Sequence, residues 1–281
     1  KRKNNFLISI IMNCYNGEKY LQESLNSIIN QSYKNWELVF WDNMSSDSSS
    51  NIVKNINDSR IKYFSSNKFE KLYKARNLAL QKCTGDFVCF LDTDDFWSAS
   101  FLQKCLDQIL KNNCNVVYSK YYIKNEIKNK MYLNEKKDLP SGIISKNLFK
   151  KYLIGISAIF LKKEVFEKQK FNSEYQIIGD FDFFMRLSFK NEFYPIQEPL
   201  LTYRHHKTNF TNKNMNLYSR EYNNWVKNNE KEIKSNYHLL FLKFYGLKLK
   251  FKLINMFFKE NNSKEKDNDL AKVAALLIHA A

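Results

Sequence analysis

The chain has 281 residues, enough for one large core or two small ones, and its 44% hydrophobic and 16% aromatic content is that of a globular protein. No apolar stretch reaches the roughly 18 residues needed to cross a bilayer, and five cysteines without a CxxC pair exclude a disulfide framework or a cysteine zinc site. With 45 Lys and Arg against 29 Asp and Glu, the net charge of +16 suits anionic partners (phosphorylated ligands, nucleic acid or an anionic membrane face) without choosing among them.

Lys1-Arg2-Lys3 precedes only a short apolar run, Phe6 to Met12, with no small-residue cleavage site. A buried first strand is expected there, not a signal peptide. In "NCYNGEKYLQESLNSIINQSY", Leu21, Leu25, Ile28 and Ile29 follow helical spacing, with Asn16 as the expected N-cap. "ELVFW" (37–41) reads as a second strand, and Asp47 is expected to cap a helix running to Ile56. "IKYF" (61–64) is a third strand. "LYKARNLALQKC" (72–83) puts Leu72, Ala75, Leu78, Ala79 and Cys83 on one helical face, and Thr84-Gly85 ends that helix before "DFVCFL" (86–91). This βαβαβα order predicts an α/β fold with a mostly parallel, Rossmann-like central sheet flanked by helices.

Residues 120–150, rich in Lys and Asn with a Pro140-Ser141-Gly142 turn, read as a variable insertion or loop before a strand at "ISAIFL" (156–161). Asp180 and Asp182 open a helix at "IGDFDFFMRLS", where the helix dipole favours acids. Beyond Thr211 the pattern changes. Leu247, Leu249, Phe251 and Leu253 alternate with Lys248, Lys250 and Lys252, a run whose secondary structure the sequence leaves open. Residues 211–269 are expected to form a mainly helical, basic-aromatic extension that meets a membrane or a partner. The Ala-rich tail 270–281 is out of keeping with the rest and carries no assigned function. Cys14, Cys83, Cys89, Cys105 and Cys114 read as reduced thiols of a cytosolic protein.

Three polar clusters, Asn13 to Asn16, Asp42 to Asp47 and Asp92 to Asp95, follow successive strands. In open α/β sheets that is where ligands bind. Hard cations take one or two carboxylates plus substrate phosphates. In extended backbone, Asp92 and Asp94 of "CFLDTDDFW" point to one face and can address one such ion. Asp95 would then cap the helix of "FWSASFLQKCLDQIL"; equally, capping alone would account for Asp94 or Asp95.

The order of "MNCYNGEKYLQESLNSIINQSYKNWELVFWDNMSSDSS", "KARNLALQKCTGDFVCFLDTDDFW" and "GDFDFFMRLS" resembles the family 2 glycosyltransferases of the GT-A fold, over roughly residues 6–206. The resemblance implies a catalytic domain over 1–210, with a nucleotide-binding half to about 97 and an acceptor half from 98, and an enzyme moving a sugar from a UDP-sugar to a glycan or lipid-linked acceptor. It implies that Asn13, Tyr15 and Asn16 wrap the nucleotide base, and that Asp42 accepts a hydrogen bond from uracil. Many relatives read Asp-Asp-Gly-Ser at this point, and Asn43 and Met44 depart from that. Arg76 is implied near base and phosphates, Asp92 at the ribose or metal, and Thr93 and Trp97 among the nucleotide-sugar contacts. Asp94 and His206, the latter in "TYRHH", are implied ligands of Mn²⁺ or Mg²⁺. Asp180 is implied as the base that takes the acceptor proton in an inverting transfer, with Asp182 orienting the helix or the acceptor. The family's acidic pair is usually Glu-Asp, and here Gly179 replaces the Glu. The implied setting is bacterial surface-polysaccharide synthesis in the cytoplasm, at the inner membrane face. A nucleotidyl- or phosphosugar transferase would carry an early Gly-rich phosphate loop, of which these 6 glycines form none. A nucleic-acid-binding protein would place lysines where these acids converge, so no nucleic acid is expected.

Overall fold

A computed structural model describes residues 5–231 and 233 of the chain. The elements run β1 (Ile8–Cys14), α1 (Glu18–Ile29), β2 (Trp36–Asp42), α2 (Ser49–Lys54), β3 (Ile61–Ser65), α3 (Leu72–Leu80), β4 (Phe87–Phe90), β5 (Phe96–Trp97) and α4 (Phe101–Asn112). They continue through β6 (Val116–Asn125), β7 (Lys130–Leu133), α5 (Ser145–Lys150), a 3₁₀ turn (Ile156–Ala158), β8 (Ile159–Lys162), α6 (Glu164–Lys168), α7 (Gly179–Ser188), β9 (Phe193–His205), α8 (Phe210–Lys213) and α9 (Met215–Asn228).

The described residues divide into two compact units, one holding the chain up to Ile144 with Leu153–Lys207, the other Ser145–Tyr152 with the chain from Thr208. The division differs from a simple boundary near 210, because Ser145–Tyr152 belongs to the second unit. In that unit Trp225 of α9 is buried and its ring lies 5.9 Å from that of Phe149 on α5. The alternating segment 247–253, the tail 270–281 and most of 211–269 lie outside the described residues.

The first unit is built on one sheet in the order β3-β2-β1-β4-β8-β6-β9-β5, with β7 beside the outer half of β6. β1, β2 and β4 are continuous apolar runs because helices cover both of their faces; every residue of β2 and β4 is buried. On one face, Ile8, Ile10, Leu38, Phe40 and Cys89 pack with Leu21, Leu25 and Ile28 of α1 and Phe101, Leu102, Cys105 and Ile109 of α4. The other face carries an aromatic cluster. The ring of Phe90 lies 5.6 Å from Phe171, Phe171 lies 4.5 Å from Phe183, and Phe166 stacks on Phe183 at 5.3 Å.

The sheet is mixed, with its longer ladders parallel, as the expected α/β fold requires. β1–β2, β2–β3, β1–β4 and β6–β9 are parallel, whereas β4–β8, β6–β8, β6–β7 and β5–β9 are antiparallel. Parallel neighbours need a crossover of a dozen or more residues, and the chain after β5 makes hairpin and short returns as well. Residues 120–150 are not a loop, a correction to the expected reading, for the second half of β6 and all of β7 and α5 lie in that span. The strand expected at 156–161 begins with the 3₁₀ turn, so β8 starts only at Ile159. Among the described residues no helix is long and apolar enough to cross a membrane. All five cysteines are buried free thiols, and burial pushes Cys83 up to about 12 and Cys89 and Cys105 well above the usual range, which leaves them protonated and inert.

Candidate active site

Register places the strand ends together. Cys14 of β1 pairs with Asp42 of β2, and Asp42 with Ser65 of β3, while Leu91 beyond β4 donates its N–H to Ile11 at 3.0 Å. Loops 13–16, 42–47 and 92–95 therefore emerge along one edge of the sheet, as the sequence predicts.

The first two loops are laced to each other. Asn43 donates its N–H to the Cys14 carbonyl at 2.8 Å, Asn16 its N–H to Ser45 Oγ at 3.0 Å, and Ser46 its N–H to Asn16 Oδ1 at 2.8 Å. Asn16 is not the N-cap of α1 that the sequence predicts; Gly17 holds that position. Asn16 stands at φ 53, a left-handed conformation asparagine tolerates, one residue before Gly17. Asp47 serves two helices instead of one, accepting the Glu18 N–H of α1 and the Ser49 N–H of α2, both at 3.0 Å. Asp42 is buried, accepting the Ser45 N–H at 2.8 Å and the Tyr63 hydroxyl at 2.6 Å. Asn13 turns a buried side-chain amide, without a hydrogen-bond partner, into the end of β1. Tyr15 stands 54% exposed and meets the equally exposed Phe69 edge-on at 4.8 Å, an aromatic wall at the mouth of these loops.

The acidic loop is a tight turn, not the extended segment expected: Asp95 donates its N–H to the Asp92 carbonyl at 3.1 Å. The carboxylates consequently diverge to different partners. Asp92 Oδ1 accepts Arg76 Nη2 at 2.6 Å; burial raises the Asp92 pKa, and the Arg76 charge opposes that rise. Arg76 is 2% exposed, buried beside the carboxylate it pairs with. Asp94 Oδ2 lies 2.9 Å from His206 Nε2. Asp95 does not cap α4, whose N-cap is Ser100. It is buried, accepting the Ser157 hydroxyl at 2.8 Å and the Arg204 N–H at 3.0 Å, and burial followed by the charges of Asp94 and Asp92 pushes its pKa well up. Thr93 packs on Gly17, where an added Cβ would come within 2.9 Å of its hydroxyl. Trp97 leaves the list of sugar contacts: it is 4% exposed, stacked on Phe101 at 4.2 Å, with Nε1 donating to the Ser157 carbonyl at 2.7 Å.

Three residues that sequence reasoning misses support the acids of the site, two of them on this turn. Ser157 accepts the Asp92 N–H at 3.1 Å as well as donating to Asp95. Arg204 is buried, with its guanidinium on the Asp94 carbonyl at 2.9 Å, Glu126 at 2.8 Å and Glu23 at 2.5 Å, and lies over the Tyr20 ring. The Tyr-Arg-His-His stretch contains Arg204 two residues before His206. The third is Tyr73, three residues before Arg76 and so on the same face of α3. Its hydroxyl donates to Asp180 Oδ1 at 3.0 Å and to the Ile177 carbonyl at 2.9 Å. Through Tyr73 and Arg76, one helix holds Asp180 and Asp92 on the same side of the sheet.

Asp180 lies in the first turn of α7, where its Oδ1 also accepts the Phe181 N–H at 2.8 Å. Asp182 is buried and its Oδ2 takes both Nε and Nη2 of Arg186, at 3.0 and 2.7 Å, which orients the helix. The missing glutamate at 179 has a steric counterpart: a Cβ on Gly179 would lie 2.3 Å from the Tyr73 ring.

A divalent metal fits this donor set. Asp94 and His206 bring one carboxylate oxygen and one imidazole nitrogen together, and Mn²⁺ accepts both. Among the described residues no three His, Cys, Asp or Glu side chains converge to hold an ion unaided. A hard cation that completes its shell with diphosphate oxygens and water needs fewer.

The model of glycosyl transferase family 2 matches residues 9–189, which span β1 to α7 and include Asp42, Arg76, Asp92, Asp94 and Asp180. The UDP-Glc:alpha-D-GlcNAc-diphosphoundecaprenol beta-1,3-glucosyltransferase WfgD of Escherichia coli is 37% identical over 158 residues, covering 56% of this chain and 61% of that protein. The match thus spans about three fifths of the relative's length. Among solved structures, S. aureus TarS 1-349 in complex with UDP-GlcNAc has a TM-score of 0.61 at 20% identity, over 72% of this chain and 59% of that one. The mannosyltransferase PcManGT from Pyrobaculum calidifontis, in complex with GDP-Man and Mn²⁺, has a TM-score of 0.54 at 16% identity, over 72% and 58%. At those identities the two structures speak for the fold alone. With the family model covering well over half of its length, the chain belongs to glycosyl transferase family 2 and has the GT-A fold.

Proposed function

We propose that the chain is a metal-dependent, inverting glycosyltransferase that moves a sugar from UDP to a hydroxyl of a lipid-linked glycan in bacterial surface-polysaccharide synthesis. The observation that carries the reading is the reach of α3, which ties Asp92 of the acidic turn and Asp180 of α7 to one place although they are far apart in sequence. A donor-binding acid and a proton acceptor on one side of the sheet are what a displacement at an anomeric carbon requires.

In this reading Asp42, the Asn13–Asn16 loop and the Tyr15–Phe69 wall take the uracil, with Asn13 supplying its unpaired amide. Asp92, steadied by Arg76, meets the ribose, and Asp94 with His206 would hold Mn²⁺ or Mg²⁺ against the diphosphate. When bound, the ion stabilises the charge that develops on departing UDP without a proton transfer. The acceptor oxygen forms its bond to the anomeric carbon as its proton passes to the Asp180 carboxylate. The bond from that carbon to the diphosphate oxygen breaks, and UDP leaves with the electron pair.

A lipid-linked acceptor is supported by WfgD, whose name specifies UDP-Glc and a diphosphoundecaprenol-linked GlcNAc. The net charge of +16 supports a peripheral position at an anionic membrane on the cytoplasmic side. The test is transfer from a panel of UDP-sugars and GDP-mannose to a GlcNAc-diphospholipid acceptor with Mn²⁺, the product's linkage read by NMR. A β-linked product from an α-configured UDP-sugar is expected. Transfer from GDP-mannose alone, or with retention, would overturn the reading.

A further inference from the structure

We propose that Tyr73 is a positioning residue of the transfer reaction: its hydroxyl orients the Asp180 carboxylate, and position 179 is glycine so that the Tyr73 ring can stand beside it. The proposal rests on the reading of Asp180 as the base and gives that base its support.

The geometry points both ways along the contact. Tyr73 is 2% exposed and its ring packs 5.6 Å from Phe171, so it cannot swing aside. A Cβ on Gly179 would lie 2.3, 2.4 and 2.6 Å from Cδ2, Cγ and Cε2 of that ring. Any side chain at 179 therefore collides with the ring and forces a local shift. Gly179 is the first residue of α7, and the ring's need for that space accounts for a residue without a Cβ there.

The hydroxyl has one proton and two acceptors, Asp180 Oδ1 at 3.0 Å and the Ile177 carbonyl at 2.9 Å. An ionised Asp180 draws the proton to itself, since hydrogen bonds to charged acceptors are the stronger ones. Once Asp180 has taken a proton, the tyrosine proton turns to Ile177 and no group is left unsatisfied. Tyr73 thus steadies the ionised carboxylate before the reaction, favouring that form over the protonated one. Burial and the Asp180 charge push the Tyr73 pKa well above the usual tyrosine value, which keeps it a donor at any working pH. Other groups within electrostatic reach of Asp180 include Arg76 on α3, Asp92 beyond β4 and Tyr121 on β6.

The test compares the full chain with Tyr73→Phe, Gly179→Ala and Asp180→Asn. UDP-glucose and a GlcNAc-diphospholipid serve as substrates across a pH series, and the Asp180 carboxyl is followed by ¹³C NMR, assigned through Asp180→Asn. Tyr73→Phe keeps the ring and folds. Its kcat is expected to fall roughly 10- to 100-fold, as for loss of a hydrogen bond to a charged group, with the donor KM within about twofold. Removing a donor to the ionised form raises a carboxyl pKa, so the acidic limb of the rate profile and the NMR midpoint both move up by about one pH unit. Gly179→Ala is expected to reproduce the loss in kcat and to lower thermal stability. An unmoved NMR midpoint in Tyr73→Phe overturns the proposal, whatever the activity. A Gly179→Ala protein with parental kcat and stability overturns the account of the glycine. Full activity in Asp180→Asn defeats the base reading instead, and the NMR midpoint still decides whether Tyr73 governs the carboxylate.

Discussion

Ser157 donates its hydroxyl to Asp95 Oδ2 at 2.8 Å, and Ser157 Oγ in turn accepts the Asp92 N–H at 3.1 Å. One buried side chain thereby sets both ends of the acidic turn that presents Asp94. Ser157→Ala leaves a buried carboxylate oxygen and a backbone donor short of a partner. It is expected to destabilise the protein by about 1–3 kcal/mol, the cost of an unmet buried polar group. Mn²⁺-dependent UDP affinity should weaken several-fold in the same variant. Denaturant unfolding and calorimetric titration check the two effects, and parental values in both would show that the turn holds without Ser157.

Glu37 lies at the opposite end of β2, buried, with Ser9, Thr84 and Lys62 all donating to it. Burial alone would raise its pKa, but those donors outweigh it and bring the value from 4.5 down to about 2. A folded-state pKa below the unfolded one gives stability that is present above pH 4.5 and lost as the pH falls toward 2. The size is about 3 kcal/mol. Acid titration of unfolding should show Glu37→Gln less stable than the parent at pH 7 by about that amount, the two converging near pH 2. A constant gap across the series would contradict the assignment.

Met44 carries φ 68 on the loop after Asp42 and is 49% exposed. A left-handed backbone costs a residue with a Cβ about 1–2 kcal/mol, and glycine relieves it at some cost in unfolded-state entropy. Met44→Gly is expected to raise unfolding stability by about 0.5–1 kcal/mol. A decrease would mean that the thioether makes contacts that matter more than the strain.

The parts of this fold that are legible in the sequence are those governed by near neighbours. β1, β2 and β4 announce themselves as largely apolar runs because both faces are covered, and their polar ends mark the candidate site at Asp42, Asp92 and Asp94. β6 does not. Its polar stretch Ser119-Lys120 and Asn125 disguises a strand whose long partner, β9, lies some 75 residues further on; Lys120 is buried with Asp138 as its counter-ion. Asp95 looks like a helix cap from its position, and only contact with residues 157 and 204 makes it a buried anchor. Tyr73 and Asp180 are 107 residues apart, so nothing local links the tyrosine to the glycine at 179. Pattern reading finds the acids; the residues that aim them exist only as long-range contacts.

The account assigns Asp94 to the nucleotide and its ion, and Asp180 to the proton of the acceptor. Calorimetric titration of UDP with and without Mn²⁺, run on the parent, Asp94→Ala and Asp180→Asn beside their turnover, separates these roles. Both variants are expected to lose at least about 100-fold in turnover, with Asp94→Ala alone losing the Mn²⁺-dependent gain in UDP affinity. Undiminished Mn²⁺-dependent binding in Asp94→Ala, or turnover equal to the parent in Asp180→Asn, would contradict it.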